Sequence, residues 1–224
     1  MSRFQGDGSK EYDARIQKLI PGYNLLQELT VASLLESLGD EARLLVVGAG
    51  TGSESLRLLH ANKHWTLTAL DISTDMLEIA RQRFVEKQVE SQVSLHHGEV
   101  STLPAEPVFD CALCFFVLHF LPADGSKVTM LREIQSRLKP GACLFLADLM
   151  KPAHEHERLF QARMSTSLGL SPVKAEKMLS RLEADFFPLS EEGLETLARA
   201  SGFQRPHRYF QAFGFHGFLL QKPS

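Results

Sequence analysis

The run Leu44-Leu45-Val46-Val47-Gly48-Ala49-Gly50-Thr51-Gly52 constrains the fold more than any other stretch of the chain. Four apolar residues suited to a buried strand pass straight into three glycines at alternate positions. Leu56, Leu58 and Leu59 then continue at helical spacing. Strand, glycine turn and helix in succession open an α/β unit, and the helix start is where backbone N–H groups meet a nucleotide-like ligand. The spacing is G-x-G-x-G, with Ser53 standing where a dinucleotide fingerprint places its third glycine.

The rest of the chain repeats the unit. Residues 11–38 have helical periodicity broken at Pro21-Gly22, with Leu25, Leu26, Leu29, Leu34 and Leu35 as the apolar face of the second part. Strands are expected at 43–48, 65–71, 92–96, 109–116 and 142–149. Between them fall a helix to about His60, one capped by Ser73 or Thr74, one from Ala123 to Leu138, and a Lys139-Pro140-Gly141 turn. Alternation at this spacing means βαβ units and a parallel sheet with helices on both faces. Residues 153–184 are helical and polar with no strand, and a helix follows over 191–200. Two strands, 207–214 and 215–221, are so close in sequence that they pair antiparallel. The expectation is a single domain over 1–224, with an N-terminal helical cap at 1–40 and a helical insertion at 150–188; the first ten residues are expected to be mobile.

Composition removes several function classes. A net charge of −3 gives no general attraction to nucleic acid or an anionic membrane. No apolar run approaches the ~18 residues of a membrane span, and Met1–Lys10 is polar, unlike a signal peptide. Three cysteines (Cys111, Cys114 and Cys143) in apolar strands argue against a disulfide framework and for a reducing, cytoplasmic setting. Cys111 and Cys114 match C-x-x-C, but three residues apart on a strand they face opposite ways. His154-Glu155-His156-Glu157 invites a metal, yet on a helix the two histidines point roughly 200° apart, so no metal site is expected.

Further features narrow the family. Leu70-Asp71-Ile72-Ser73 ends the second strand, Gly98-Glu99-Val100 the third, Phe109-Asp110 opens the fourth, and Leu138-Lys139-Pro140-Gly141 precedes the fifth. With the glycine motif and the closing hairpin, these resemble the class I S-adenosylmethionine-dependent methyltransferases. The resemblance implies a Rossmann-like seven-stranded sheet, mostly parallel with a C-terminal antiparallel hairpin, and S-adenosyl-L-methionine as cofactor. Pro21-Gly22-Tyr23 and the tail from Ser201-Gly202-Phe203 to Phe215 are similar to the carboxy-S-adenosylmethionine synthase family of tRNA wobble-uridine modification. That likeness implies that Tyr23 contacts the methionine part of the cofactor. The arginine that family uses for an extra carboxylate aligns with Leu179, with Arg181 out of register, which favours an ordinary methyltransferase.

Each part of such a cofactor calls for a partner. Gly48, Ala49, Gly50 and Gly52 let backbone approach the amino-acid tail and ribose. Asp71, 23 residues after Gly48, suits the ribose diol. Glu99 suits the adenine amine, and Ile72, Met76 and Val100 its faces. At the end of the fourth strand neighbouring rings point opposite ways, so only Phe115 or Phe116 lines the pocket; alignment favours Phe115. His119, just beyond, is the candidate general base. Phe160, Met164, Leu168, Leu170 and Met178 give the insertion the character of an apolar lid over a small acceptor, or of a homodimer contact. The scattered Arg158, Arg163, Lys174, Lys177 and Arg181 fit a solvated face better than an RNA groove. The leading expectation is therefore a methyltransferase on a small molecule. A carboxy-S-adenosylmethionine synthase, a nicotinamide-dependent oxidoreductase and a non-catalytic cofactor-binding protein remain as alternatives.

Overall fold

The computed structural model describes residues 12–224. Its elements in chain order are α1 (Tyr12–Leu19), α2 (Tyr23–Ser37), β1 (Arg43–Val47), α3 (Ser53–Ala61), β2 (Thr66–Asp71), α4 (Thr74–Glu86), β3 (Val93–His97), β4 (Phe109–Phe115), α5 (Ser126–Arg137), β5 (Leu138–Leu149), α6 (Glu155–Ser167), α7 (Pro172–Ala184), α8 (Glu191–Ala200), β6 (His207–Ala212) and β7 (Phe215–Gln221). The first ten residues, expected to be mobile, lie outside the described residues.

The strands form one seven-stranded sheet in the order β3-β2-β1-β4-β5-β7-β6. β1 to β5 pair parallel, and β7 inserts antiparallel between β5 and β6. The order reverses between β1 and β4, so the crevice of the sheet opens at their carboxyl ends.

Alternate residues of the central strands feed two separate cores, which is why these strands are apolar throughout. Leu44, Val46, Cys111, Leu113, Phe145 and Ala147 face one core, closed by Ile16 and Ile20 from the N-terminal segment, Leu26 and Leu34 of α2 and Leu58 of α3. Leu45, Val47, Ala112, Cys114, Leu144 and Leu146 face the other, closed by Leu131 and Ile134 of α5 and Leu194 and Ala198 of α8. Cys111 and Cys114 do point to opposite sides, and all three thiols are free. Ser73 caps α4 by accepting from Met76 N.

Two local expectations change. The turn at 139–141 belongs to β5: Leu138 pairs with Phe109 and Cys143 with Cys111, so two steps along β4 match five along β5 and the intervening residues bulge. Nor do the leucines of α2 share a face. Leu26 and Leu34 are buried with Tyr23, Gln27 and Thr30, while Leu25, Leu29 and Leu35 are exposed on the far side.

Candidate functional site

The glycine turn between β1 and α3 rests on the end of β2, where Leu70 O accepts from both Gly48 N and Ala49 N at 2.9 Å. Its three glycines serve two purposes. A Cβ on Gly48 would lie 2.2 Å from Val117 Cγ2, and one on Gly52 2.8 Å from the Phe84 ring. Both also have φ near +75°, at +73° and +80°, which side chains disfavour. A Cβ on Gly50 would meet nothing within 4 Å. Close packing thus requires Gly48 and Gly52. Gly50 alone of the three faces open space that a ligand can enter, which narrows the expectation made for all of them.

Asp71 closes this turn from β2. Its Oδ2 accepts from Gly50 N at 2.8 Å and its Oδ1 from Ser73 N at 2.9 Å. A carboxylate has room for further donors on both oxygens, so holding the turn does not exhaust it. Burial raises its pKa, and the backbone N–H donors oppose the rise.

Tyr23, brought in by the Pro21-Gly22 break, donates its hydroxyl to Glu54 Oε1 at 2.6 Å, and Gln27 Nε2 donates to the same oxygen at 2.8 Å. Burial pushes the Glu54 carboxyl up, against the pull of those two donors. α1 lies beside this pair. Asp13 Oδ1 accepts from Thr51 Oγ1 at 2.6 Å and from Ser53 Oγ at 3.0 Å, and its Oδ2 meets Arg83 Nη1 at 2.7 Å.

The residues assigned to adenine separate by exposure. Ile72 is 63% exposed directly after Asp71, and Glu99 is exposed at the end of β3. Met76 and Val100 are buried at 1% and 3%, so both are also core residues.

At the end of β4 the strict alternation breaks. Phe116 turns into a left-handed conformation (φ +59°), and both Phe115 and Phe116 join the same core. Their ring centroids are 6.2 Å apart, and Phe116 lies 6.2 Å from Tyr23 and 6.0 Å from Phe215. The premise that only one of the two rings can reach this side is therefore corrected, and Phe116 is the ring next to Tyr23.

His119 sits in a short helical turn after β4 and is buried. Its Nδ1 pairs with Asp148 Oδ1 near the end of β5. Phe186 packs edge-on to the imidazole at 4.8 Å, Phe120 lies at 4.2 Å, and Phe187 N donates to His119 O. Buried Lys127 donates to Leu118 O; burial lowers its pKa and Asp148 opposes the shift. His119, Lys127 and Asp148 border a cavity of about 10 Å³, close to the room one water needs.

α6 is turned inside out. Gln161 and Ser165 are buried at 2% and 0%, whereas Leu159, Phe160 and Met164 are exposed at 60%, 58% and 39%. Of the residues expected to form an apolar lid, Leu170 is buried and Leu168 exposed, and the side chains of Met178, Leu179 and Arg181 lie outside the described residues. Among the described residues no group of three or more His, Cys, Asp or Glu is placed to hold a metal, and no helix is long and apolar enough to cross a membrane.

Sequence reasoning missed Asp13, Glu54, Lys127 and Asp148. Asp148 was visible as the one acid in an otherwise apolar fifth strand, and Glu54 as an acid in the first turn after the glycine motif. Nothing near Asp13 announced its partners, which lie 38 to 70 residues away.

Known proteins share sequence and fold with this chain. Residues 45–144 match the methyltransferase domain model. The chain is 23% identical over 227 residues to the carboxy-S-adenosyl-L-methionine synthase 1 of Yersinia pseudotuberculosis serotype IB (strain PB1/+), covering 97% of this chain and 92% of that one. It is 34% identical over 137 residues to a ubiquinone biosynthesis O-methyltransferase of Xanthomonas axonopodis pv. citri (strain 306), covering 59% and 53%. Among solved structures, the S-adenosylmethionine-dependent methyltransferase SibL superposes with a TM-score of 0.66 at 18% identity over 90% of this chain. The chain spans about half the length of SibL, 55%.

Proposed function

From the premise that this chain carries a methyltransferase domain of the S-adenosylmethionine-dependent class, we propose that it methylates a hydroxyl of a small-molecule acceptor. The observation that carries this reading is the convergence of Gly50, Asp71, Tyr23 and Glu54 at the crevice of the sheet, with the His119–Asp148 pair at the end of the neighbouring strands.

The residues fit the cofactor. Asp71 keeps acceptor capacity for a diol, the open face of Gly50 admits a ligand without a Cβ, and Ile72 offers an exposed apolar surface for a base. Glu54 is a carboxylate for the ammonium of the amino-acid tail, and Tyr23 orients it. When bound, S-adenosylmethionine supplies an activated methyl group on a sulfonium. The protein's own part is positioning, exclusion of water, and removal of one proton from a hydroxyl acceptor. Asp148, accepting from Nδ1–H, fixes the imidazole tautomer in which Nε2 is the proton acceptor. Phe120 and Phe186 shield that ring from solvent. Free thiols throughout support a cytoplasmic setting.

The test is direct. S-adenosylhomocysteine should bind with micromolar affinity or tighter in calorimetry, and mass spectrometry of ligand released from purified protein should find S-adenosylmethionine or its homocysteine product. A wild-type protein that gives no heat sinks the reading. A second reading, a carboxy-S-adenosylmethionine synthase, draws on the near full-length match to such an enzyme. Carboxylated cofactor in the released ligand would favour it over the first.

A further inference from the structure

We propose that Lys127 is the counter-cation of Asp148, the fixed charge that leaves His119 neutral and free to take a proton. Lys127 is a positioning residue, acting on the acceptor through Asp148 and His119 without touching it. This role rests on the proposed function above, in which His119 takes the proton, and deepens it.

A carboxylate taken out of water needs a cation. Asp148 is buried, and its side-chain partner is the equally buried His119. A pair of this kind left to itself favours the imidazolium, because a lone buried carboxylate costs more than an ion pair. An imidazolium has no free ring nitrogen and cannot act as a base. A proton acceptor beside a buried carboxylate therefore calls for a second, permanent cation.

Lys127 supplies it. It stands in the first turn of α5 and is 4% exposed, a burial that lysine tolerates only with a partner. Its Nζ donates to Leu118 O, the carbonyl just before His119, and an ammonium has two further donors to place. Lys127, His119 and Asp148 border the same small cavity, and Lys127 is the one permanent cation among its described lining residues. Both hydrogen bonds of the Asp148 carboxylate fall on Oδ1, from His119 Nδ1 and from Leu149 N at 2.8 Å. Oδ2 is thereby left for a water in that cavity, which would join it to Nζ. The same lysine also helps to place the ring, since Lys127 holds the carbonyl of Leu118 while Phe187 N holds that of His119 at 2.8 Å.

Other titratable groups near Asp148 are accounted for separately. Burial and Asp148 both push the Cys114 thiol of β4 up, so it stays uncharged. His216 of β7 lies opposite Asp148 in the sheet register, but its Nδ1 is 3.3 Å from Glu191 Oε1 of α8, which also pairs with Arg208 of β6. Burial lowers the His216 pKa, and Glu191 and Glu157 oppose the shift.

Side-chain ¹⁵N spectra of the full chain at about pH 7 read the charge state of His119 directly. In wild type the ring should carry one proton, on Nδ1, with Nε2 free. Lys127→Gln keeps a donor near Leu118 O and removes the charge, and there His119 should carry both protons. A singly protonated His119 in the variant would reduce Lys127 to packing and one hydrogen bond, and so overturn its role as counter-cation. So would an imidazolium in wild type, a result that needs no variant to fold. Thermal melts give a second readout. Lys127→Gln should melt below wild type by a margin that grows by about 2–4 °C from about pH 6 to about pH 8, because the folded variant keeps a proton that the unfolded chain releases. Titration of Lys127 itself has the same sign, so the comparison is repeated in a His119→Asn background, where the growth should vanish; growth that persists there overturns the assignment. Calorimetry separates this role from the reading beneath it. The variant should bind S-adenosylhomocysteine within about twofold of wild type. A wild-type protein that binds none removes the methyltransferase reading, while the spectra still decide the charge on His119.

Discussion

The two ends of the proposed reaction site, a proposed cofactor side and a proposed acceptor side, are built in opposite ways. On the cofactor side, short polar groups from distant elements meet on one glycine turn: Asp13 from α1, Glu54 from α3, Asp71 from β2 and Arg83 from α4. On the acceptor side, one buried pair, His119–Asp148, joins two neighbouring strand ends beneath aromatic rings, and α6 shows its apolar residues to the outside. The first side is over-determined by mutual contacts, so single losses there should weaken a ligand. The second joins its two key side chains to each other through a single polar contact, so a single loss there should remove a function outright.

The largest effect tests whether the turn is a packing element or a ligand element. Gly48→Ala drives a Cβ into Val117 and forces an alanine to positive φ. Strain and overpacking together should cost about 3–5 kcal/mol, lowering Tm by roughly 10 °C or more. Gly50→Ala meets nothing within 4 Å and should cost only about 1 kcal/mol in stability while obstructing S-adenosylhomocysteine. Thermal melts and calorimetry on the two variants decide it; equal destabilisation would erase the distinction between the glycines.

Next comes the acceptor side. Asp148→Asn leaves a buried histidine without its carboxylate and Lys127 without its nearby counter-charge, so stability should fall by about 2–4 kcal/mol. His119→Asn should be milder in stability, by about 1–2 kcal/mol. Both should leave S-adenosylhomocysteine affinity within about twofold of wild type. Loss of cofactor binding in His119→Asn would mean that the two sides are not separable.

These contrasts also explain what was legible beforehand. The sheet, its order of elements and the closing hairpin follow from apolar runs and turn residues at short range, and the glycine turn and Asp71 from fixed spacing within one unit. Other residues around the site follow no such local rule. Asp148 matters because β5 lies beside β4, and Phe116 because its backbone turns left-handed at the end of the strand. α6 misled for a physical reason: its apolar residues suggested an inward lid face, whereas the buried positions hold Gln161 and Ser165. The contacts of Asp13 with Thr51, Ser53 and Arg83 were invisible because they join residues 38 to 70 positions apart in the chain.

Asp71→Ala is the third test, again on the cofactor side. It removes both the partner of Gly50 N and the acceptor assigned to the diol. S-adenosylhomocysteine affinity should drop at least about tenfold, or ~1.4 kcal/mol, with the His119–Asp148 pair untouched. An unchanged affinity in calorimetry would remove Asp71 from the site and leave it as a brace for the turn.

The smallest effect concerns the sign of a charge. Burial holds the Glu54 carboxyl above its ordinary range. A raised acid keeps its proton in the folded state at pH values where the unfolded chain has lost it. Its contribution to stability therefore declines as pH rises from the ordinary value through the raised one, and above that the ionised group is a standing cost. Glu54→Gln removes the charge while keeping an oxygen for Tyr23 and Gln27. The free protein should gain about 1 kcal/mol or less near neutral pH, a Tm rise of no more than about 2–4 °C, and the gain should shrink as pH falls through that window. Affinity for S-adenosylhomocysteine should move the other way, because the ammonium of its amino-acid tail loses its proposed partner. Melts at several pH values set beside calorimetry will show whether stability and affinity part company. If both fall together, Glu54 serves only to pin Tyr23, and the cofactor side is more like the acceptor side than its contacts suggest.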